Sequence, residues 1–399
     1  MTVRASFSRH LCFGAIVSLI ASGALAQSNQ MSNQMSLGQR NPACGSPVAL
    51  DDGWETAAPE SAGMDGARLC GIAARLQLTG SDVHAVVVAR HGKLVFEQYF
   101  SGLDQPWGEA EAPHEFGATS KHDMRSASKS VISLLLGIAI DRKLIASADE
   151  PVVKFLPEYH AVKKAGWDAI TLRHLLTMSS GIKWDETLNW TDPKNDEPHL
   201  GFEADPIRYV LSKPIAAPPD TLWVYNGGGT DLLGNILERV SAIPLEAFAR
   251  EALFQPLDVS DFEWKSYPKN GKIAAAAGLR LRPRDAAKLG QLVLNRGVWN
   301  GRQVVPVDWI AQSTTPRFQA TGHFGGTLFY GYQWWMGRSF SGAKEAKWVA
   351  AFGWGGQRIF IVPDLDLVMM TTAAQYGKPK EGLAAMDILA NSVIPAVRN

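Results

Sequence analysis

The sequence lacks most of the short motifs that identify an enzyme class directly. It contains no Gly-x-Ser-x-Gly, no P-loop, no Gly-x-Gly-x-x-Gly and no His-Glu-x-x-His. These absences argue against an α/β-hydrolase, against the usual phosphate and dinucleotide cradles, and against a zinc protease. No two histidines lie close together in the sequence either, so we predict no metal site and no cofactor.

The chain also lacks net charge. Its 399 residues include 39 basic and 39 acidic side chains, which gives a formal charge of zero. That balance argues against a protein that binds nucleic acid or an anionic membrane surface. With 46% hydrophobic and 20% charged residues the composition is that of a globular protein, and the length suits two or three domains or one large two-lobed unit.

The N-terminus has the pattern of a secretory signal peptide. Arg4 and Arg9 precede a short apolar run that ends in Ala24-Leu25-Ala26. A basic start, an apolar core and an A-x-A end predict cleavage after Ala26, and therefore a periplasmic or secreted protein. No integral membrane segment is expected after cleavage, although an uncleaved anchor is the alternative. Residues 27–41 are predicted to form a flexible polar linker.

Cysteine is scarce, with three residues in the whole chain. Loss of the signal peptide removes Cys12 and leaves Cys44 and Cys70. In an oxidising compartment these two favour one disulfide, while two separate buried thiols are an equally reasonable alternative. Two cysteines alone do not build the usual four-ligand zinc site.

Strand patterns occur at both ends of the chain, with mainly helical patterns between them. The patterns predict a helix over Met64–Leu78, a helix over Pro283–Asn295 and a hairpin that turns at His91-Gly92. Strands are predicted at His84–Arg90, Lys93–Phe100, Tyr330–Met336, Lys347–Phe352, Gln357–Val362 and Leu367–Thr372. This order indicates an α+β protein whose sheet is completed by both ends of the chain.

The pattern Ser-x-x-Lys occurs four times and is the remaining candidate for a nucleophile. Three copies, starting at Ser180, Ser266 and Ser341, have turn-like surroundings. Ser126 instead opens a strongly apolar helix that is predicted to end near Asp141 and to be buried.

Lys129 is expected to lie beside the Ser126 hydroxyl, because residues three apart share a helix face. Burial and the positive helix N-terminus are expected to lower the pKa of Lys129, which would let it act as a base. The alternative is that Ser126 caps the helix and Lys129 is solvated.

Five segments of the chain resemble the serine hydrolases related to class C β-lactamases, DD-peptidases and aminohexanoate-oligomer hydrolases. The resemblance covers residues of about 80–397 and implies a DD-peptidase/β-lactamase-like fold with Ser126 as nucleophile. The segments are Ser126-Ala-Ser-Lys129, Ile170–Gly181, Trp223–Gly229, Ala277–Asp285 and Gly353–Gln357.

The resemblance also implies roles for two further elements. Tyr225, on a loop before a helix, is expected to relay a proton between Ser126, Lys129 and the leaving group; the alternative is a core aromatic. Gly227 stands where β-lactamases usually have Asn, so a contact to the substrate amide is missing.

The third element of the family, Lys-Thr-Gly on a strand facing the nucleophile, corresponds here to Trp354-Gly355-Gly356. An indole cannot supply the positive charge that holds a β-lactam carboxylate. Gly355 and Gly356 allow close approach of the backbone to a substrate, or else form a tight bend. By analogy the N–H groups of Ser126 and Gln357 form the oxyanion hole.

Other polar residues are expected to be structural, to lie near the site or to shape the substrate pocket. Arg173 and His174 are expected to be structural, and His122 and Arg125 to lie at the rim or in contact with the site. The irregular segment 184–219 contains candidates for shaping the substrate pocket. These are Trp184, Asp185, Glu186 and Trp190.

Together these observations predict a two-lobed serine hydrolase. After a signal peptide (1–26) and linker (27–41), residues 42–399 form one β-lactamase-related domain. Its α/β lobe is expected at about 42–110 and 275–399, and its helical lobe at about 111–274. The expected substrate is a small ester or linear amide. The alternatives are a β-lactamase or cell-wall DD-peptidase, and a non-catalytic penicillin-binding-like receptor; the sequence does not indicate an oligomeric state.

Overall fold

The computed structural model describes residues 44, 47–189, 191–321, 327–378 and 382–398. The predicted signal peptide, the predicted linker and Trp190 lie outside these residues. Within these ranges no helix is both long enough and apolar enough to span a lipid bilayer. Cys44 and Cys70 form a disulfide, which confirms the first of the two alternatives.

The strands of the described chain fall mainly into two groups, one near each end. They are β1 Glu55–Thr56, β2 Val83–Arg90, β3 Lys93–Tyr99, β4 Gly102–Asp104, β5 Ala112–His114, β6 His122–Asp123, β7 Glu263–Trp264, β8 Leu279–Leu281, β9 Val298–Trp299, β10 Arg302–Gln303, β11 Phe318–Gln319, β12 Phe329–Tyr330, β13 Trp335–Ser341, β14 Lys344–Gly353, β15 Gln357–Val362 and β16 Leu367–Ala373.

The helices lie mostly between these groups and at the two ends. The α-helices are α1 Gly66–Cys70, α2 Ile72–Thr79, α3 Ser128–Asp141, α4 Leu172–Leu176, α5 Asp196–Phe202, α6 Pro206–Leu211, α7 Gly227–Ser241, α8 Leu245–Ala249, α9 Pro283–Leu294, α10 Val307–Ser313, α11 Leu383–Ile388 and α12 Ile394–Ala396. Single 3-10 turns occur at Pro59–Ala62, Arg125–Ala127, Val152–Phe155, Pro157–Tyr159, Trp167–Ala169, Gln255–Leu257 and Pro363–Leu365, and π-turns at Arg250–Phe254 and Leu389–Val393.

Nine strands form one large sheet in the order β1-β3-β2-β16-β15-β14-β13-β12-β11. Only β1 and β3 pair in parallel; the other neighbours are antiparallel. The central pairing of β2 with β16 joins the two ends of the chain, as the sequence predicted. The α+β architecture is therefore confirmed, whereas the lobe boundaries at about 110 and 275 stay a prediction.

Both faces of the sheet are buried. Alternate residues of β2 point to opposite sides, so Val87 and Ala89 join one apolar core while Val86 and Val88 join a second. The first core contains α3, α7 and α9, and the second contains the terminal helices α1, α2, α11 and α12. This double coverage explains why β2 is apolar along nearly its whole length.

Two predicted elements differ from the structure. The predicted strand Tyr330–Met336 is broken, because Gln333 has a φ of 63° and the Gly331 N–H bonds to the Trp334 carbonyl at 2.9 Å in a turn. The predicted helix Met64–Leu78 is two helices, α1 and α2, that are interrupted at Gly71.

Candidate active site

Ser126 lies in the 3-10 turn Arg125–Ala127, directly before the buried helix α3. Arg125 has a φ of 48°, a left-handed conformation that is uncommon outside glycine. The Ser128 hydroxyl donates a 2.6 Å hydrogen bond to the Arg125 carbonyl and so fixes the turn. The sequence pattern placed Ser126 at the start of the helix, and the structure places it one tight turn earlier.

Lys129 is the immediate partner of Ser126. Its Nζ donates a 2.8 Å hydrogen bond to Ser126 Oγ and a longer one, 3.4 Å, to the Ala276 carbonyl. The Lys129 side chain is only 1% exposed. By contrast, the lysines of the other three Ser-x-x-Lys copies are all exposed, so burial distinguishes this copy from them; those lysines are Lys183, Lys269 and Lys344.

Tyr225 lies on the loop immediately before α7 and reaches the same point. Lys129 Nζ lies 4.8 Å from the centre of the Tyr225 ring. Tyr225 forms hydrogen bonds with Ser126 and with Lys129. The first lowers the pKa of Tyr225, and the second raises the pKa of Lys129. Trp335 packs against the ring, with 5.6 Å between ring centres. The structure thus brings together all three side chains that the resemblance assigned to catalysis.

The triplet Trp354-Gly355-Gly356 is the turn between β14 and β15. The triplet therefore lies between the predicted strands Lys347–Phe352 and Gln357–Val362, and the alternative of a tight bend is correct. Gly355 and Gly356 have φ values of 92° and 106°, which only glycine adopts readily. A Cβ on Gly355 would lie 2.3 Å from the Tyr376 ring, so a side chain is excluded there.

Gly353, the last residue of β14, packs directly on the backbone beside the nucleophile. A Cβ at this position would lie 2.1 Å from the Met124 carbonyl oxygen. Gly353 pairs with Gln357, the first residue of β15. The glycine therefore lets the end of this hairpin approach the turn that carries Ser126.

Gln357 is completely buried and its side chain is occupied within the sheet. Its amide donates to the carbonyls of Trp354 and Ala373 at 3.0 and 2.8 Å, and its Oε1 accepts from the Ala373 N–H at 2.8 Å. Any contribution of Gln357 to a substrate therefore comes from its main chain.

Arg125 lies between aromatic rings beside the turn. Its guanidinium carbon is 5.8 Å from the Trp354 ring centre and 5.0 Å from that of Tyr376. The indole of Trp354 stands where β-lactamases have lysine and is 40% exposed. Arg125 pairs with Asp123 at 3.1 Å, and Asp123 is shared with Arg280 at 2.8 Å.

Two carboxylates, Glu186 and Glu197, meet at the first residue of α7 and are called the acidic pair below. The Gly227 N–H and the Trp184 indole N–H each donate a 2.7 Å hydrogen bond to Glu186 Oε2. A Cβ on Gly227 would lie 3.3 Å from Glu186 Oε2 and 3.4 Å from Glu197 Oε1. Where β-lactamases usually have Asn, this chain has a glycine bordered by two acids.

The acidic pair changes the protonation of the site. Burial by itself lowers the pKa of Lys129, but the interactions of the lysine with Tyr225, Glu186 and Glu197 outweigh it and raise that pKa. The expected lowering of the Lys129 pKa is therefore wrong. Burial, opposed by Lys129 and reinforced by Glu186, raises the pKa of Tyr225.

The same burial acts on the acids. It raises the pKa of Glu197 to about 8, and the neighbouring charge of Glu186 adds to the effect. In the resting site at neutral pH, Lys129 is consequently an ammonium, Tyr225 is a neutral phenol and Glu197 is largely protonated.

Asp231 is a buried acid that the sequence reasoning missed. It accepts hydrogen bonds from the Ala276 N–H and the Tyr267 hydroxyl, both at 2.9 Å, and burial raises its pKa to about 6. Because the Ala276 carbonyl accepts from Lys129, Asp231 holds in place one of the two acceptors of the lysine.

The other sequence-predicted residues occupy varied places. Trp184 and Glu186 border the site, whereas the Asp185 carboxylate accepts from the backbone and side chain of Thr187. His174 caps the start of α4 and lies 3.2 Å from Asp220, a structural role as expected. The sequence analysis gave no role in the site to Glu197 or Gly353. The only sequence signal for Glu186 and Glu197 was the unusual glycine at position 227.

A family model described as Beta-lactamase matches residues 72–391. The 6-aminohexanoate-dimer hydrolase of Paenarthrobacter ureafaciens is 25% identical over 319 residues, which span 76% of this chain and 75% of that protein. The lovastatin esterase of Penicillium rubens is 31% identical over 136 residues, 32% of each chain. The match therefore spans only about a third of the esterase but three quarters of the dimer hydrolase.

A solved structure agrees with the observed architecture. The octameric penicillin-binding protein homologue from Pyrococcus abyssi superposes with a TM-score of 0.63 at 20% identity, covering 84% of this chain and 78% of that one. This likeness shows that the chain has the β-lactamase and penicillin-binding-protein fold.

Proposed function

This chain belongs to the β-lactamase family, and we propose that it is a serine hydrolase that cleaves a small ester or linear amide through an acyl-enzyme on Ser126. The observation that carries the proposal is the 2.8 Å hydrogen bond between a buried lysine, Lys129, and the Ser126 hydroxyl, with Tyr225 beside both. Buried ionisable groups beside a hydroxyl are the usual means of activating a serine.

The protonation of the site supports Tyr225 as the proton acceptor. Lys129 and Tyr225 act as a pair, and the reactive form is the pair that has lost one proton. Since the acidic pair favours the ammonium of Lys129, the lost proton comes from Tyr225. The Tyr225 phenolate then accepts the Ser126 proton while the Lys129 ammonium stabilises the oxygen that attacks the substrate carbonyl carbon.

The rest of the cycle follows from the same groups. The N–H groups of Ser126 and Gln357 stabilise the tetrahedral oxyanion, and one such donor contributes about 2.7–4 kcal/mol. The carbon–oxygen or carbon–nitrogen bond of the substrate then breaks, and the leaving group takes the proton from Tyr225. Water attacks the acyl-enzyme by the reverse route and releases the acid, which restores Ser126.

The charges around the site favour an uncharged or cationic substrate. The acidic pair contributes negative charge, and the lysine of the β-lactamases is replaced by Trp354. A carboxylate like that of a β-lactam would meet the negative potential of the acidic pair without the lysine that holds it in those enzymes. Linear amides whose ammonium group lies near the acidic pair fit these charges better; an aminohexanoate oligomer carries such an ammonium at one end, and its carboxylate lies at the other end.

The location is part of the proposal. The predicted signal peptide lies outside the described residues, and the Cys44–Cys70 disulfide suits the periplasmic or secreted location that it predicts. The N-terminal sequence of protein recovered from a periplasmic extract checks this, and we expect it to begin after Ala26.

Fluorophosphonate labelling tests the nucleophile. The intact mass of the wild type should rise by one adduct, Ser126→Ala should gain none, and Ser266→Ala should label normally because its Ser-x-x-Lys lysine is exposed. Ser126→Ala should also lose ester and amide turnover while it keeps its fold. An adduct that persists in Ser126→Ala would contradict the assignment of the nucleophile.

Variants of the two partners test the proton path. We expect Lys129→Met and Tyr225→Phe each to lower kcat by about 100- to 10,000-fold, the usual contribution of general acid–base catalysis. A labelled wild type that turns over no ester, amide or chromogenic β-lactam would instead favour the non-catalytic receptor, and efficient β-lactam turnover would favour a β-lactamase.

A further inference from the structure

Three side chains with metal-ligand chemistry meet in the interior, away from the catalytic groups. His84 lies on β2, Asp104 on β4 and His122 on β6, and none of them is more than 2% exposed. One ligand atom from each lies within 4.8 Å of the other two. We propose that His84, Asp104 and His122 bind one divalent metal ion of the Zn²⁺ type.

Two of the three separations between the ligand atoms are close to those around a tetrahedral ion, and the third is no more than 4.8 Å. His84 Nδ1 is 3.0 Å from His122 Nε2, which in turn is 3.5 Å from Asp104 Oδ2. Tetrahedral Zn²⁺ with bonds of about 2.0–2.1 Å places its ligand atoms about 3.3 Å apart. Two imidazoles and one carboxylate are also a ligand set that Zn²⁺ accepts in proteins.

The second ring nitrogen of His122 is arranged as in a metal ligand. Its Nδ1 lies 3.1 Å from the Asp123 carbonyl oxygen, which can only accept a hydrogen bond, so Nδ1 carries the proton. The lone pair of Nε2 then points towards His84 and Asp104. Metal-bound histidines usually donate their other N–H in this way to a carbonyl or carboxylate.

Asp104 forms no ion pair with a lysine or arginine among the described residues. In the part of the chain that the structure describes, its recorded partners are the Tyr376 hydroxyl, 3.3 Å from Oδ1, and His122; no lysine or arginine pairs with it. Burying an unpaired carboxylate among neutral groups is costly. A divalent cation at this point supplies the missing charge.

The second nitrogen of His84 points to the same conclusion. Nε2 is buried and makes no hydrogen bond of good geometry, although the imidazole interacts with the Leu103 backbone and Nδ1 faces His122. If Nδ1 donated to His122, Nε2 would remain an unpaired acceptor in the interior. With a metal on Nδ1, Nε2 carries a proton instead and faces the backbone at Gly102, where a Cβ would lie 2.8 Å away.

The position of the cluster indicates a structural role. The three ligands are buried and lie on three different strands, so the ion would tie β2, β4 and β6 together, with its fourth position left to a water molecule. His122 precedes the nucleophile by four residues, and Tyr376, which contacts Asp104, also packs against Trp354. The ion would therefore stiffen the segment that carries Ser126.

Metal titration of the purified mature chain tests the proposal. After treatment with a chelator, the protein is titrated with Zn²⁺ and stoichiometry is read by native mass spectrometry; Co²⁺ is added separately, and its visible spectrum reports tetrahedral coordination. We expect one equivalent of tightly bound ion, and a Tm that rises with Zn²⁺ concentration because the ion binds only the folded state.

Variants assign the ion to this cluster. His84→Gln and Asp104→Asn should each weaken Zn²⁺ binding at least about 100-fold, while the exposed His160→Gln should bind like the wild type. Asp104→Asn preserves shape, so circular dichroism of that variant separates loss of ligation from loss of folding. A wild type that binds no Zn²⁺, or a stoichiometry that Asp104→Asn and His84→Gln leave unchanged, would overturn the proposal.

Discussion

The backbone N–H of Gly227 donates a 2.7 Å hydrogen bond to Glu186 Oε2. Gly227 is the first residue of α7, so Glu186 accepts this hydrogen bond at the positive end of that helix. Glu197 also borders the same glycine. A Cβ at this position would lie 3.3 Å from Glu186 Oε2 and 3.4 Å from Glu197 Oε1, so the side chain of an Asn here would press against the acidic pair.

The acidic pair should set the pH dependence of hydrolysis. Its negative charge raises the pKa values of Lys129 and Tyr225, and the reactive pair has lost a proton, so kcat/KM should rise with pH in the wild type. Removing one negative charge lowers both pKa values. We therefore expect Glu186→Gln to move the rising limb to lower pH by about one unit, the effect of about 1.4 kcal/mol of charge interaction. Glu197→Gln should move it less, because Glu197, with a pKa of about 8, carries little charge at neutral pH.

The control for this experiment is Glu251→Gln, which removes an exposed acid that pairs with Arg142. Its pH profile should superpose on that of the wild type. The proposed protonation of Lys129 and Tyr225 would be contradicted if the rising limb of the kcat/KM profile stayed in place in both acidic-pair variants, or if it moved to higher pH.

The enzyme should hydrolyse otherwise similar substrates with kcat/KM values that depend strongly on their charge. Among matched esters with an anionic, neutral or cationic group, kcat/KM should be lowest for the anion, because the acidic pair repels it and Trp354 offers no cation. Glu186→Gln should reduce the difference in kcat/KM between the anionic ester and the other two, and added salt should reduce the same difference in the wild type. Equal kcat/KM values for the three esters at low salt would count against the proposed preference.

The sequence predicted the parts of the molecule that depend on local pattern. The hairpin that turns at His91-Gly92, the strand Gln357–Val362 and the helix that ends at Asp141 all occur as expected. The break in the predicted strand Tyr330–Met336 was invisible, because an apolar and aromatic run does not reveal that Gly331 must pack against the Ser313 carbonyl.

In the candidate site, too, local contacts could be predicted from the sequence and tertiary contacts could not. Ser126 and Lys129 are neighbours through helical spacing, so their contact could be predicted from the sequence. The raised pKa of Lys129 could not, because it depends on Glu186 and Glu197, which only the tertiary fold brings near. The His84, Asp104 and His122 cluster was missed for the same reason, since its members lie on three separate strands.

The Cys44–Cys70 disulfide should contribute measurably to stability. It closes a loop with a sequence separation of 26 residues and so restricts the unfolded chain. The variant Cys44→Ala/Cys70→Ala should lose about 3–4 kcal/mol of unfolding free energy, measured by denaturant titration. Treatment with a reductant should lower the unfolding free energy of the wild type by the same amount and should leave that of the double variant unchanged. Equal unfolding free energies for the oxidised wild type and the double variant would contradict this prediction.

Gly353 should be required for placing the nucleophile. In Gly353→Ala the new Cβ would lie 2.1 Å from the Met124 carbonyl oxygen, so either β14 or the turn that carries Ser126 must move. A displacement of about 1 Å at a catalytic group can cost about 100-fold in rate, and we expect kcat and fluorophosphonate labelling to fall together by at least tenfold. Gly117→Ala is the matched control, since its Cβ meets no atom within 4 Å and should leave both rates unchanged. Wild-type labelling by a folded Gly353→Ala protein would show that the hairpin does not position Ser126, and would leave the oxyanion role of Gln357 without its structural basis.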